Sequence, residues 1–290
     1  MVGITVIGCG PAGISAAIYA ARAGVEVTVV GTGKTALKKA HKIENYYGFS
    51  SPVTGEFLFN EGIKQAKALG VGFVMEEVVG IGFGRESGYE VTTTGRKFET
   101  RSIVIATGSQ RTAPPVKGLK EFEGSGVSYC AVCDGFFFRG KNLAVLGNGQ
   151  YAVHEALELI SVAKSVTILT DGKEMEVEVP EGIEVNRLEI EEIYGNGKVE
   201  SVHFKDGSVI DVCGVFVAAG VAGSGDLARK LGVALNGSKI SVNEHMETNV
   251  PLVYAAGDCT GGMLQIAKAV YEGAIAGSEA AKAVKSEMRR

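Results

Sequence analysis

Cys130-Ala131-Val132-Cys133-Asp134-Gly135 is the stretch of this chain best equipped for chemistry. A C-x-x-C can be a redox disulfide, half of a zinc site, or two unrelated buried thiols. Zinc needs four ligands, yet Cys9, Cys213 and Cys259 stand alone and His41, His154, His203 and His245 form no ligand pair. No metal is therefore expected, and the redox pair is the favoured reading. Asp134 sharpens it, because thiol–disulfide exchange needs a proton delivered to the leaving thiolate and a neighbouring carboxylate can supply one. An Asp-Gly turn accounts for the same residue structurally, and the two readings are compatible.

Two glycine-rich turns flank this stretch. Val2 to Ile7 reads as a strand, Gly8-Cys9-Gly10-Pro11-Ala12-Gly13 as the turn, the residues to about Ala23 as a helix, and Val25 to Val30 as a second strand. Such a turn lets a pyrophosphate approach the helix N-terminus, where free N–H groups favour an anion. The acid expected on a ribose after the second strand is missing, which leaves Thr32 or the backbone for that contact. Further on, Asn142 to Leu146, Gly147-Asn148-Gly149-Gln150-Tyr151-Ala152, a helix from Val153 to Ala163 and Ser165 to Leu169 repeat the pattern. Ile103 to Gly108, which includes Ala106 and Thr107, closes the first unit, and Val215 to Gly220 echoes it in the second. Pro114 and Pro115 mark a linker. Near the end, a strand runs into Gly257 and Asp258, followed by a helix from about Leu264 to Lys285. An Asp at a strand's C-terminal end sits where open α/β sheets bind ligands. Cys9 and Cys259 read as buried fillers beside a cofactor.

A chain of 290 residues with 46% apolar residues can build one or two cores. A net charge of −4 argues against general nucleic-acid binding. No apolar run has the length of a membrane span, and the opening strand has no basic start or cleavage site, so neither membrane insertion nor export is expected. Five cysteines, an odd number, do not suggest a secreted disulfide framework. The expected compartment is the cytoplasm. Lys34, Lys38, Lys39, His41 and Lys42 form a basic block in this acidic chain, readable as a solvated loop or as a docking face.

Over essentially its whole length the chain resembles the low-molecular-weight thioredoxin reductases. The resemblance rests on Gly8 to Gly13, Ala106-Thr107-Gly108, Cys130 to Gly135 followed by Phe136 to Lys141, and Ala255 to Asp258 with Gln265 after it. It implies an α/β fold of two Rossmann-like, three-layer nucleotide-binding domains, the second inserted in the first. An FAD domain would span 1–113 and 246–290, and a pyridine-nucleotide-like domain carrying the disulfide would span 114–245. It further implies a homodimer whose domains rotate about two linkers. By position, Cys133 would face the flavin, Cys130 would attack the disulfide of thioredoxin or a thioredoxin-like protein, and Asp134 would be the acid/base. Asn45, Gln265 and Ile266 would approach the isoalloxazine, where a helix N-terminus stabilises negative charge.

The chain departs from the family at the second nucleotide site (Gly147, Gly149, Ala152, Asp171). The family's 2′-phosphate-binding His-Arg-Arg run is replaced by Leu169-Thr170-Asp171-Gly172-Lys173. Like charges about 5 Å apart cost roughly 3 kcal/mol at an effective dielectric near 20, so Asp171 disfavours NADPH. An acid there could take a ribose 2′-hydroxyl and favour NADH, but Tyr151 puts a bulky ring in the turn. Val221 to Ser224 replaces a His-x-Pro-Asn segment, and a Gly-Gly-Gln-Leu segment near the flavin is absent. Together these losses resemble the ferredoxin-dependent flavin thioredoxin reductases. A donor near −400 mV feeding a couple near −270 mV releases about 6 kcal/mol over two electrons, so reduced ferredoxin is a sufficient donor. Ferredoxin is favoured over NADH, and NADH over NADPH. Two other readings are a flavoprotein passing electrons between ferredoxin and a pyridine nucleotide, which does not need the C-x-x-C, and a redox-silent FAD-binding protein.

Overall fold

The structure is a computed structural model that describes residues 2–85, 87–108, 114–220 and 222–289. The chain divides into two compact units, Met1–Gln110 with Gly223–Arg290, and Arg111–Ala222. In the first unit β1 (Val2–Ile7) turns into α1 (Pro11–Arg22), followed by β2 (Val27–Val30), α2 (Gly55–Ala68) and β3 (Gly72–Val74). A meander of β4 (Val78–Phe83), β5 (Tyr89–Thr93) and β6 (Lys97–Ile105) completes this segment. The second unit holds β7 (Val127–Ser128), the short helix α3 (Ala131–Asp134), β8 (Asn142–Leu146), α4 (Gln150–Ile160), β9 (Ser165–Leu169) and β10 (Glu184–Asn186). It continues with β11 (Ile190–Tyr194), β12 (Ser201–Phe204), β13 (Val209–Asp211) and β14 (Gly214–Val217). The chain then returns to the first unit through α5 (Ser224–Lys230), the hairpin β15 (Leu235–Asn236) and β16 (Lys239–Ile240), β17 (Val253–Ala255) and α6 (Ile266–Met288).

The first sheet runs β3-β2-β1-β6 in parallel. Beyond β6 it divides. The first half of β6 pairs antiparallel with β5, from Lys97 opposite Thr92 to Thr100 opposite Tyr89, while the second half pairs parallel with β17, from Ile103 opposite Val253 to Ile105 opposite Ala255. Lys97–Ile105 is thus one continuous strand that serves both neighbours. Ile103, Val104 and Ile105 are fully buried, as expected of a strand covered on both faces. Helix α6 lies against α1 at backbone distance: a Cβ on Gly273 or Gly277 would come within 2.2 Å of the Ala12 carbonyl oxygen and 2.1 Å of that of Ala16. Small residues such as Ala16, Ala276 and Ala280 fill the seam.

The second unit's sheet has the order β10-β9-β8-β14-β7, all parallel, beside the antiparallel ribbon β11-β12-β13. Strand β7 ends two residues before Cys130 and so delivers the thiols at the C-terminal edge of this sheet. The second compact unit ends at Ala222, and the chain from Gly223 onward packs with the first. The reason is tertiary: α5 packs on β4, and β16 on the turn after β17. Residue 113, the expected end of the first segment, and Val221 lie outside the described residues. Among the described residues no helix is long and apolar enough to cross a membrane.

Candidate active site

Cys130 and Cys133 are joined as a disulfide. Cys130 caps α3, its sulfur accepting the Cys133 N–H at 3.2 Å. In this oxidised form Cys130 is buried and Cys133 exposed. Asp134 is held by Ser128, whose hydroxyl donates to Asp134 Oδ2 at 2.6 Å and accepts the Cys130 N–H at 3.1 Å. One serine therefore aligns the carboxylate with the backbone of the first thiol. From α4, the buried Glu155 accepts the Ala131 N–H at 2.8 Å through Oε2. Sequence reading missed both residues, because their partners are tertiary. Val132, Phe136 and Phe137 stand exposed on the same loop.

In the first unit the C-terminal ends of β1, β6 and β17 meet. Gly8 donates to the Val30 carbonyl, Ala106 to Ile7 and Ala256 to Ile105, at 2.8, 2.8 and 3.0 Å. Gly8 has φ +112°, and a Cβ there would stand 2.3 Å from the Ala106 carbonyl oxygen. One on Gly13 would be 1.9 Å from the Gly8 oxygen, so both positions demand glycine. Gly10 is the N-cap of α1 with no side-chain cap, and Pro11 occupies the first turn, where its missing N–H costs nothing. The remaining first-turn N–H groups are available to an anion. Thr32, exposed after β2, accepts the Lys34 N–H at 3.4 Å. Thr107 Oγ1 is buried without a hydrogen-bond partner, beside Gly108. An unsatisfied buried hydroxyl and a side-chain-free cradle fit a polar, phosphate-bearing cofactor such as FAD.

Asn45 and Gln265 come together, Asn45 Nδ2 donating to Gln265 Oε1 at 3.0 Å. The loop bearing Asn45 is closed by paired hydrogen bonds between Ile43 and Val53. Gln265 caps α6, Ile266 is its first residue, and Asp258 opens a short 3-10 turn after Gly257. Beneath them lies a network that sequence reading missed. Lys268 and Glu272, both largely buried and 2.9 Å apart, grip the Gly257 peptide from two sides. Lys268 Nζ donates to the Gly257 carbonyl at 2.7 Å, and Glu272 Oε2 accepts the Gly257 N–H at 2.8 Å. Their i,i+4 spacing was visible as an ion pair, but its target was not. Burial pushes the Cys259 thiol up to about 12 and also raises that of Cys9, so both are protonated and inert. Of the basic block, Lys38 lies 4.2 Å over the Phe59 ring and Lys42 pairs with Glu44, while Lys34, Lys39 and His41 are exposed.

The second turn repeats the first: Gly147 donates to Leu169 and Ala218 to Leu146. Its surroundings differ. Tyr151 is buried, and the segment 174–176 lies on the turn, with the Glu176 N–H on the Asn148 carbonyl at 2.8 Å and Asn148 Nδ2 on the Glu174 carbonyl at 3.0 Å. Glu176 Oε2 is 3.4 Å from where a Cβ of Gly149 would stand. Asp171, at φ +53°, accepts the Ile190 N–H at 2.9 Å through Oδ1. Ala152 packs where a Gly147 Cβ would meet it at 2.9 Å.

Residues 3–273 match the pyridine nucleotide-disulphide oxidoreductase family. The thioredoxin reductase of Aquifex aeolicus (strain VF5) is 36% identical over 273 residues, covering 88% of this chain and 84% of that protein. The crystal structure of the atypical thioredoxin reductase TRi from Desulfovibrio vulgaris Hildenborough superposes with a TM-score of 0.95 at 39% identity, covering 99% of each chain. That of a ferredoxin-flavin thioredoxin reductase from Clostridium acetobutylicum gives 0.73 at 31%, covering 99% of this chain and 98% of that one. The chain belongs to the pyridine nucleotide-disulphide oxidoreductase family and is an FAD-dependent disulfide oxidoreductase of the thioredoxin reductase type.

Proposed function

We propose that this enzyme reduces thioredoxin or a thioredoxin-like protein through the Cys130–Cys133 pair, with a donor other than NADPH and reduced ferredoxin favoured. The observation that carries the choice of donor is the segment 174–176 lying on the second glycine turn. A pyrophosphate brought to Gly149 would face the Glu176 carboxylate, at a cost of about 3 kcal/mol for a charge pair about 5 Å apart. The exposed Lys34, Lys39 and His41 suit an acidic donor, since complementary charge speeds and orients encounter. NADH is the alternative, and Asp171 argues less for it now that its carboxylate serves the Ile190 N–H.

Bound FAD supplies two-electron reduction of the disulfide; the protein's own residues manage the protons and the exchange. Two electrons and two protons convert the disulfide to a dithiol. Cys130 then attacks the partner's disulfide as a thiolate, and Cys133 attacks Cys130 in the mixed disulfide, releasing the partner as a dithiol. Asp134 donates to the departing sulfur, oriented by Ser128. Exposed Val132, Phe136 and Phe137 suit a protein substrate better than a small disulfide. Cys130, buried in the oxidised form, becomes accessible on this reading when the disulfide opens. Residues 1–113 with 246–290 as FAD domain and 114–245 as disulfide domain were the expected boundaries; we now draw the inserted domain to 222. A cytoplasmic homodimer completes the reading.

A coupled assay tests it. Thioredoxin thiols should appear with reduced ferredoxin as donor, and not with NADPH. Thiol formation at equal rates with NADPH would reject the donor assignment, and full rates in Cys133→Ser would reject the disulfide pathway.

A further inference from the structure

The grip that Lys268 and Glu272 keep on Gly257 is more elaborate than holding a helix end requires. The two side chains are 13% and 12% exposed, and the Lys268 ammonium meets three acceptors: the Gly257 carbonyl at 2.7 Å, Thr260 Oγ1 at 2.8 Å and Glu272 Oε2 at 2.9 Å. Thr260 Oγ1 in turn lies 2.9 Å from Glu272 Oε2, the atom that accepts the Gly257 N–H. An apolar pair of similar volume would pack α6 on this turn without loss of stability, so the polar grip calls for a further reason. Gly257 points to one. Its backbone, at φ +89° and ψ −151°, is open essentially to glycine alone, and such a conformation persists only where its surroundings over-determine it. A Cβ there would stand 2.8 Å from the Cβ of Ala12, in the first turn of α1. The grip therefore sets the next residue, Asp258, at a fixed place relative to the first glycine turn. From β16, Lys239 Nζ donates to the Asp258 carbonyl at 3.0 Å. With its backbone pinned in this way, the Asp258 carboxylate itself has no hydrogen bond or ion pair among the described residues.

We propose that Lys268 and Glu272 are positioning residues for FAD: by locking the Gly257 backbone they aim the Asp258 carboxylate at a hydroxyl of the cofactor. The proposal rests on the reading that Asp258 is an FAD contact. A carboxylate oriented before the cofactor arrives loses little freedom when it binds, and that saving appears as affinity. Thr260 bonds to both members of the pair, so the three side chains act on the turn as one unit.

The test uses the FAD-loaded protein with no electron donor or protein partner present, so its outcome is independent of the donor and of the thiol chemistry. FAD released on serial dilution is followed by its fluorescence, and circular dichroism verifies that each variant is folded. Asp258→Ala should raise the FAD dissociation constant about thirtyfold, the order of one hydrogen bond to a charged group. Lys268→Met combined with Glu272→Leu, which leaves no buried charge unpaired, should keep the fold yet raise the constant about tenfold. Thr260→Val, a milder change that removes only the shared hydroxyl, should raise it about threefold. Neither change should weaken FAD binding further once Asp258 is replaced by alanine. The proposal is overturned by wild-type affinity in the apolar pair or, should that variant not fold, in Thr260→Val. It is overturned equally if the loss is the same with and without Asp258, the mark of a merely structural role. An unchanged constant in Asp258→Ala would overturn it by a separate route, by removing Asp258 from the cofactor's contacts.

Discussion

The two glycine turns of this protein are near copies in backbone and opposites in surroundings. In each, the first glycine donates to the neighbouring parallel strand, and in each a Cβ on it would stand 2.3 Å from a carbonyl oxygen, Ala106 in one case and Ala218 in the other. Yet the first turn faces an unpartnered Thr107 hydroxyl, while the second carries residues 174–176 on its surface. On the proposed reading, a strand–glycine–helix frame preserves the means of binding a pyrophosphate, and the neighbouring loop would decide whether it is used. Fold and ligand are specified by different residues.

That comparison can be broken or sharpened in several ways. The largest effect is expected at the thiols: Cys133→Ser should retain FAD, held by the first turn, while disulfide reduction falls by about a thousandfold or more, measured as thioredoxin thiols formed. Next are matched substitutions at the second glycine of each turn. A Cβ on Gly10 meets Thr35 Oγ1 at 3.5 Å, and one on Gly149 meets Glu176 Oε2 at 3.4 Å and the Gly220 carbonyl oxygen at 3.8 Å, so neither alanine should disturb the fold. Gly10→Ala should nonetheless weaken FAD retention by about tenfold or more, because the backbone must come close to the pyrophosphate, whereas Gly149→Ala should leave flavin content and turnover unchanged. Equal effects at both positions would dissolve the contrast.

A smaller effect concerns the buried thiols of the first unit. The folded-state pKa of Cys259 is raised from 9.0 to about 12 by burial, so its contribution to stability is fully present below pH 9 and is lost as pH rises towards 12. By pH 10 the loss amounts to about 1.4 kcal/mol, and Cys259→Ala should lack this part of the alkaline decline in denaturant titrations. A thiol reagent at neutral pH should likewise modify the exposed Cys213 but leave Cys9 and Cys259 untouched until unfolding.

Much of this was legible in the chain. The β1–turn–α1 unit announces itself because apolar strand residues, glycines and a first-turn proline are all local signals, and the meeting of Asn45 with Gln265 follows from the resemblance. Ser128, Glu155 and the Lys268–Glu272 grip on Gly257 were not legible, since each depends on which strand or helix faces which. The return of the chain at 223 was hidden for the same reason: a short helix and a hairpin look alike in composition whichever unit they pack on. Tyr151 marked the second turn as altered, but the residues that lie on it, Glu174 and Glu176, come from a loop with no periodic pattern to read.

The most direct test of the contrast between the turns is anaerobic mixing of the yellow, FAD-loaded protein with NADPH, NADH or reduced ferredoxin while the flavin's visible absorbance is followed. Ferredoxin should bleach the flavin rapidly, and NADPH should leave it coloured at concentrations that saturate ordinary pyridine-nucleotide enzymes. Bleaching by micromolar NADPH would contradict the account, because the second turn would then be open to the nucleotide it is described as refusing.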